Sequence, residues 1–229
     1  MKLLSVAEAR ARMLAAASPL GVESVSVEAA AGRVLATEVR AGRDQPPFAA
    51  SAMDGWAVRA ADTPGRLTIV GESAAGHAFA GTLQAGQAVR IFTGAPVPAG
   101  ADAVVIQEDA ARDTETVTVP VASHGRHVRG AGMDFHAGET LLAPGQWLDP
   151  WRLALVAAAG MAAIEVQRSP RIAILATGEE IVAPGAKARA DQIFDSGTTV
   201  TAALVRAFGG QPHPLPRVGD DETDRKSVV

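Results

Sequence analysis

Apolar positions follow three different rhythms along the chain. At the start, Ser5 and Glu8 have the spacing of a capping box, and Val6, Met13 and Leu14 share one helical face. Ser18-Pro19 ends that pattern, which predicts a helix over 6–17. From Gly21 to about Val119, short runs such as RLTIV, QAVRIF, DAVVI and TVTVPV alternate with Gly and Pro. That texture predicts β-rich structure with many turns. Within it, AAGHAFAGTLQAG reads as loop and hairpin, and no repeat of fixed period is present.

A second helix is predicted in DPWRLALVAAAGM, with Asp149 as N-cap, Pro150 in the first position and Gly160 as the stop. AIEVQRSP follows as a short strand. RIAILATGEEI is then a continuous apolar run, the pattern of a strand buried on both faces. It ends at Thr177-Gly178 and two carboxylates, Glu179 and Glu180. DSGTTVTAALVRAFGG predicts a helix capped by Ser196, with Val200, Ala203, Leu204 and Phe208 along one side and Gly209 at its end. Strand, loop and helix open an α/β unit. Only the extended QPHPLPRVGDD follows, so the unit reads as unfinished.

Composition narrows the class. A chain of 229 residues with 48% hydrophobic residues suits one large domain or two small ones with a real core. A net charge of -4 argues against non-specific nucleic-acid binding. The absence of Cys excludes disulfides, thiolate catalysis and Cys-ligated metals. MKLLSVAEARARML is too polar for a signal segment, and no apolar run has membrane-spanning length, so a soluble cytoplasmic protein without membrane partners is expected.

Four segments put polar groups where an oxyanionic ligand can be held. Asp54 with Ser51 is the first, although Asp54-Gly55 equally suits a turn at a strand entry. The second is Thr93-Gly94 at the end of an apolar strand, where backbone amides can approach an anion; a Pro-Gly hairpin loop is the competing reading. The third, VRGAGMDFHAGE, carries Arg126, Arg129, Asp134 and Glu139, and a solvated turn again competes. The fourth is Glu179-Glu180, at the carboxyl end of an α/β strand, where oxygen ligands suit Mg²⁺ together with substrate phosphates. His124, His127 and His136 match no zinc spacing and read as loop histidines. With Lys2, Lys187 and Lys226 as the only lysines, a lysine-based phosphate site has few candidates.

PPFAASAMDGWAV, AVRIFTGAPVPAGADAVVIQED, VRGAGMDFHAGE, RIAILATGEEIVAPG and QIFDSG, in this order and spacing, resemble the molybdopterin molybdenumtransferase (MoeA and gephyrin E-domain) family. The resemblance runs from the first helix to about Thr223. It implies insertion of molybdate into adenylylated molybdopterin with release of AMP and Mg²⁺ present, in a homodimer that can also meet the adenylyltransferase supplying its substrate. It implies a mixed α and β, multi-domain fold. That fold comprises an elongated helical and β linker or dimerisation region (1–45 and 136–168), a β-rich domain (46–135) and an incomplete three-layer, MogA-like α/β domain (169–223). Asp54, Thr93, Asp134 and Glu180 match catalytic positions. Ser51, Gly94, Thr177, Gly178 and Asp195 match cofactor-binding positions, and Glu179, Glu180 and Asp220 match the metal site.

The chain departs from the family at Glu179 for Asp, Met133 for Glu, Gly197 for Asn and Trp56 for Tyr. A Gly-Gly-x-Ser-x-Gly loop and a C-terminal β-domain are also missing. DRKSVV (224–229) can be back-translated into the start of a common sequencing adapter, so these residues are expected to be non-native and the chain a truncated copy. The family includes a member that anchors receptors, so a non-catalytic binding or scaffold module is the alternative. The retained acids favour the enzyme.

Overall fold

A computed structural model describes residues 4–219. In chain order the elements are α1 (Val6–Ala15), β1 (Val22–Ser26), β2 (Val39–Arg40), β3 (Ala50–Ser51), β4 (Gly55–Val58), β5 (Gly65–Ser73), β6 (Gln87–Ile91), β7 (Ala103–Ile106), β8 (Ala111–Arg112), β9 (Thr116–Val119), β10 (Val128–Arg129) and β11 (Thr140–Leu142). There follow α2 (Pro150–Ala158), β12 (Ala163–Gln167), β13 (Arg171–Ile174), β14 (Ile181–Val182), β15 (Ile193–Phe194), α3 (Ser196–Ala207) and β16 (Gln211–Pro214). Mixed α and β structure is thus the fold class. The chain divides into two compact units, one of residues 40–141 with 158–160 and one of the remainder.

The 40–141 unit is built on a six-stranded sheet in the order β7-β4-β6-β5-β9-β8. The β5–β6 pair is parallel, with a bulge between Ile69 and Gly71, and the other pairs are antiparallel. Alternation along β4 sends Trp56 and Val58 into one apolar cluster with Val105 and Val117, and Ala57 into another with Val89, Ile91 and Val104. All four β4 residues are buried, as expected of a strand covered on both faces. Gly55 is required by close approach, since a Cβ there would lie 2.0 Å from the Val105 carbonyl oxygen. Arg112 on the edge strand β8, which follows β7 after one short turn (Gln107–Asp109), reaches the Trp56 ring at 5.6 Å.

In the other unit, β1 and β12 pair antiparallel from Val22↔Gln167 to Ser26↔Ala163. Leu35, Leu148, Val156 and Val166 are fully buried here. α1 carries the expected capping box, with Glu8 N donating to Ser5 Oγ at 3.2 Å, and it buries none of its residues. It ends at Ala15, where the chain turns over Ala16. α2 starts as expected, with Asp149 accepting from the Arg152 amide at 2.8 Å.

The β13–α3–β16 segment corrects two expectations. β13 is not buried on both faces: Arg171, Ile172 and Ala173 are exposed and Ile174 alone is buried, and among the described residues its one ladder partner is β16. The cap of α3 is Asp195, not Ser196, with Asp195 Oδ1 accepting from Thr198 N at 2.9 Å. The helix turns Ala202 inward, a small side chain that allows close approach. Val200, Leu204 and Phe208 are left 55%, 52% and 84% exposed. Gly209 ends the helix at φ +80°, as its position suggests. Asp220 and residues 224–229 lie outside the described residues.

Candidate functional site

The antiparallel register of β4 and β6 pairs Gly55 with Ile91, which carries Asp54 alongside the segment just beyond β6. Asp54 Oδ1 there accepts two hydrogen bonds from Thr93, from its amide at 2.8 Å and its hydroxyl at 2.7 Å. These bonds, the amide first, hold the Asp54 carboxyl below its ordinary value against a smaller opposing effect of burial, and the nearby Arg90 charge adds to them. Both bonds land on Oδ1. Among the described residues Oδ2 accepts none, so an ionised oxygen stays available on a fixed carboxylate.

Ser51 lies three residues before Asp54 and is fully buried. Its hydroxyl donates to the Met53 carbonyl at 2.6 Å, and its own carbonyl accepts from Gly94 N at 2.8 Å. Ser51 therefore sets the shape of the Met53–Asp54 turn and has no spare donor for a ligand. The same bonds correct the expectation for Thr93-Gly94. Neither amide is open to an anion, because the Thr93 amide is taken by Asp54 and the Gly94 amide by Ser51. Gly94 is needed for its backbone, at φ +80°.

A cavity of about 220 Å³ opens next to this turn, with Phe48, Ser51, Gly94, Arg129, Met133 and Asp134 in its wall. Pairing of β3 with β10 (Val128↔Ser51, Arg129↔Ala50) brings Arg129 here, and an Asp134 N to Gln45 O bond of 2.9 Å anchors the following loop. Ser51, Gly94 and Asp134 are thus gathered at one place, with Asp54 and Thr93 adjoining it in the chain. Arg126 lies elsewhere, 3.8 Å from Asp109, and Glu139 accepts from the His136 amide within its own turn. Sequence reasoning did not place Phe48 in this wall. Its only signal was its position between PP and the SAMDG stretch.

The second group of expected residues lies in the other unit. Thr177 forms a bridge with Val218, and Gly178 is at φ +132° with the Glu180 carboxylate where a Cβ would be, 2.5 Å away. Glu179 and Glu180 are exposed. The Glu179 carbonyl accepts from Gln192 at 3.5 Å and the Glu180 carbonyl from the Ile193 amide at 2.8 Å. Asp195 and the start of α3 line a separate cavity of about 330 Å³ with Ile174, Ile181, Phe194 and Thr198; Thr177, Gly178, Glu179 and Glu180 are not among its lining residues. The Asp195 carboxyl is held low first by the Thr198 amide, then by the Thr198 hydroxyl, with Arg217 adding charge. Among the described residues no three His, Asp or Glu side chains converge as metal ligands. No helix there is long and apolar enough to cross a membrane.

Known proteins resemble this chain in sequence and in fold. Residues 4–160 match the family described as MoeA N-terminal region (domain I and II). Molybdopterin molybdenumtransferase 2 of Mycobacterium tuberculosis is 38% identical over 219 residues, covering 92% of this chain and 53% of that protein. Molybdopterin molybdenumtransferase of Nostoc is 39% identical over 209 residues, covering 88% and 48%. The crystal structure of the molybdopterin biosynthesis MoeA protein from Pyrococcus horikoshii superposes with a TM-score of 0.84 at 32% identity, covering 99% of this chain and 60% of that one. The chain spans about half the length of these curated relatives. It belongs to the MoeA family.

Proposed function

We propose that this chain contributes to molybdenum cofactor biosynthesis, as part of a molybdopterin molybdenumtransferase that inserts molybdate into adenylylated molybdopterin and releases AMP. The observation that carries this reading is the Asp54–Thr93 pair beside the cavity of Ser51, Gly94, Arg129 and Asp134. A fixed carboxylate held low in pKa is ionised at neutral pH. It therefore acts as the fixed partner of a positive charge. Arg129 offers a planar fork to a phosphate or molybdate oxygen. The dithiolene that receives the metal belongs to the substrate, so a chain without Cys suffices.

Mg²⁺ fits the donor chemistry of Glu179 and Glu180. Two exposed carboxylates give few ligands, which is how Mg²⁺ binds when substrate phosphates complete its shell. Asp220 is the third residue of this set. When bound, Mg²⁺ offsets negative charge on the leaving phosphate. In the same reading the protein is a cytoplasmic homodimer with a linker region, a β-rich domain and a MogA-like domain, and it can receive substrate from the adenylyltransferase.

The test is genetic. In a strain lacking its own transferase, the complete gene that encodes this chain should restore molybdoenzyme activity, and the Asp54→Ala form should not. Restoration by both forms would remove Asp54 from the mechanism, and restoration by neither would remove the function.

A further inference from the structure

Two arginines meet at one tryptophan in the six-stranded sheet. Arg90 lies directly across from Trp56 in the β4–β6 register, with its guanidinium 5.3 Å from the Trp56 ring centre and 4.8 Å from that of Phe92. Arg112, on the edge strand β8, lies 5.6 Å from the same Trp56 ring. Both line a single cavity of about 270 Å³ with Trp56, Gln107 and Ala110. Trp56 is only 2% exposed, so its ring is a fixed platform for the two cations.

Among the described residues neither arginine joins an ion pair, unlike Arg33 with Glu23, Arg59 with Asp62, Arg66 with Asp113 and Arg152 with Asp149. Arg90 instead donates to neutral oxygens, the Gly55 carbonyl at 3.2 Å and Gln107 Oε1 at 2.6 Å. Among the described residues Arg112 joins no ion pair and no side-chain hydrogen bond. A guanidinium stacked on a ring uses its face and keeps its N–H groups, which lie in its plane, for an acceptor. Arg112 has all of its donors left and Arg90 has some. Gln107 Nε2 also donates to Glu108 at 3.1 Å, and the charge of Arg90 acts on the Asp54 carboxyl as well.

We propose that the Trp56–Arg90–Arg112 cavity is a binding site for a doubly charged tetrahedral oxyanion, either free or as the terminal phosphate of a larger molecule. The two guanidiniums supply the charge and the in-plane donors. Gln107 holds Arg90 in place, and the buried Trp56 ring is a fixed surface for both cations. This site does not include Asp54, Arg129 or Asp134, and the proposal stands whether or not the chain serves in molybdate insertion.

Titration of the chain with inorganic phosphate, followed by calorimetry and tryptophan fluorescence, tests it. Saturable binding with Kd at or below about 1 mM that weakens with added salt is expected. Arg112→Gln should weaken it ~10-fold, and Arg112→Lys, which keeps the charge without the fork, by less. Arg112 is exposed, so neither change threatens the fold; Arg66→Gln, at an ion-paired surface arginine, should leave binding unchanged. A nucleoside 5′-monophosphate binding more tightly than phosphate would identify an esterified ligand, and equal binding a free oxyanion. No saturable binding, or equal binding by wild type and Arg112→Gln, would overturn the proposal.

Discussion

Among single residues, Asp54 matters most through its charge. Its folded pKa is depressed, so the stability it contributes is present above the unfolded value of about 3.9 and is lost as pH falls through the lower folded value. Thr93→Val removes the hydroxyl bond and keeps the amide bond. The Asp54 carboxyl should then titrate at higher pH than in wild type, though still below an unpaired Asp, in a carbon-detected NMR titration. An unchanged titration would mean that Thr93 Oγ1 does not set the charge. The sequence made Asp54 and Thr93 visible as candidates, but their bond depends on a register between strands 32 residues or more apart in the chain. Local pattern does not encode such a pairing. The same reason hid the commitment of the Thr93 and Gly94 amides to Asp54 and Ser51.

At the element scale, local signals predicted best where the physics is local. The Ser5–Glu8 box and the Asp149-Pro150 start are formed within one turn, and both are present. The cap of α3 moved by one residue to Asp195, because Asp and Ser stand side by side and either side chain can accept the Thr198 amide. The faces of β13 were misread for a different reason: a continuous apolar run states what could be buried, and the surroundings decide what is. Replacing Leu204 or Phe208 by Ser should therefore leave thermal stability nearly unchanged and reduce aggregation in light scattering, since both side chains are largely exposed. A large fall in melting temperature would show that this face is covered. In β4, Gly55→Ala places a Cβ 2.0 Å from the Val105 oxygen and should cost about 3 kcal/mol in urea unfolding. A change near zero would contradict the tight β4–β7 approach.

At the scale of the whole molecule, the family was legible because its motifs are long stretches such as SAMDG and TGAPVPAGADAVV, whose residues are needed together. Gly55 is fixed by β7, Gly94 by its backbone angle and Asp54 by Thr93. The arginine pair on Trp56 was not legible, since Arg112 meets that ring through the pairing of β4 with β7, a contact between strands distant in the chain. The proposed homodimer predicts that sedimentation of the complete gene product gives twice the protomer mass, and a monomer at micromolar concentration would count against it. The most direct test of the central claim is molybdate-dependent AMP release from adenylylated molybdopterin by that product, comparing wild type with Asp54→Ala. A loss of ~10²-fold or more is expected, with substrate binding nearly kept. Equal rates in the two proteins would contradict it.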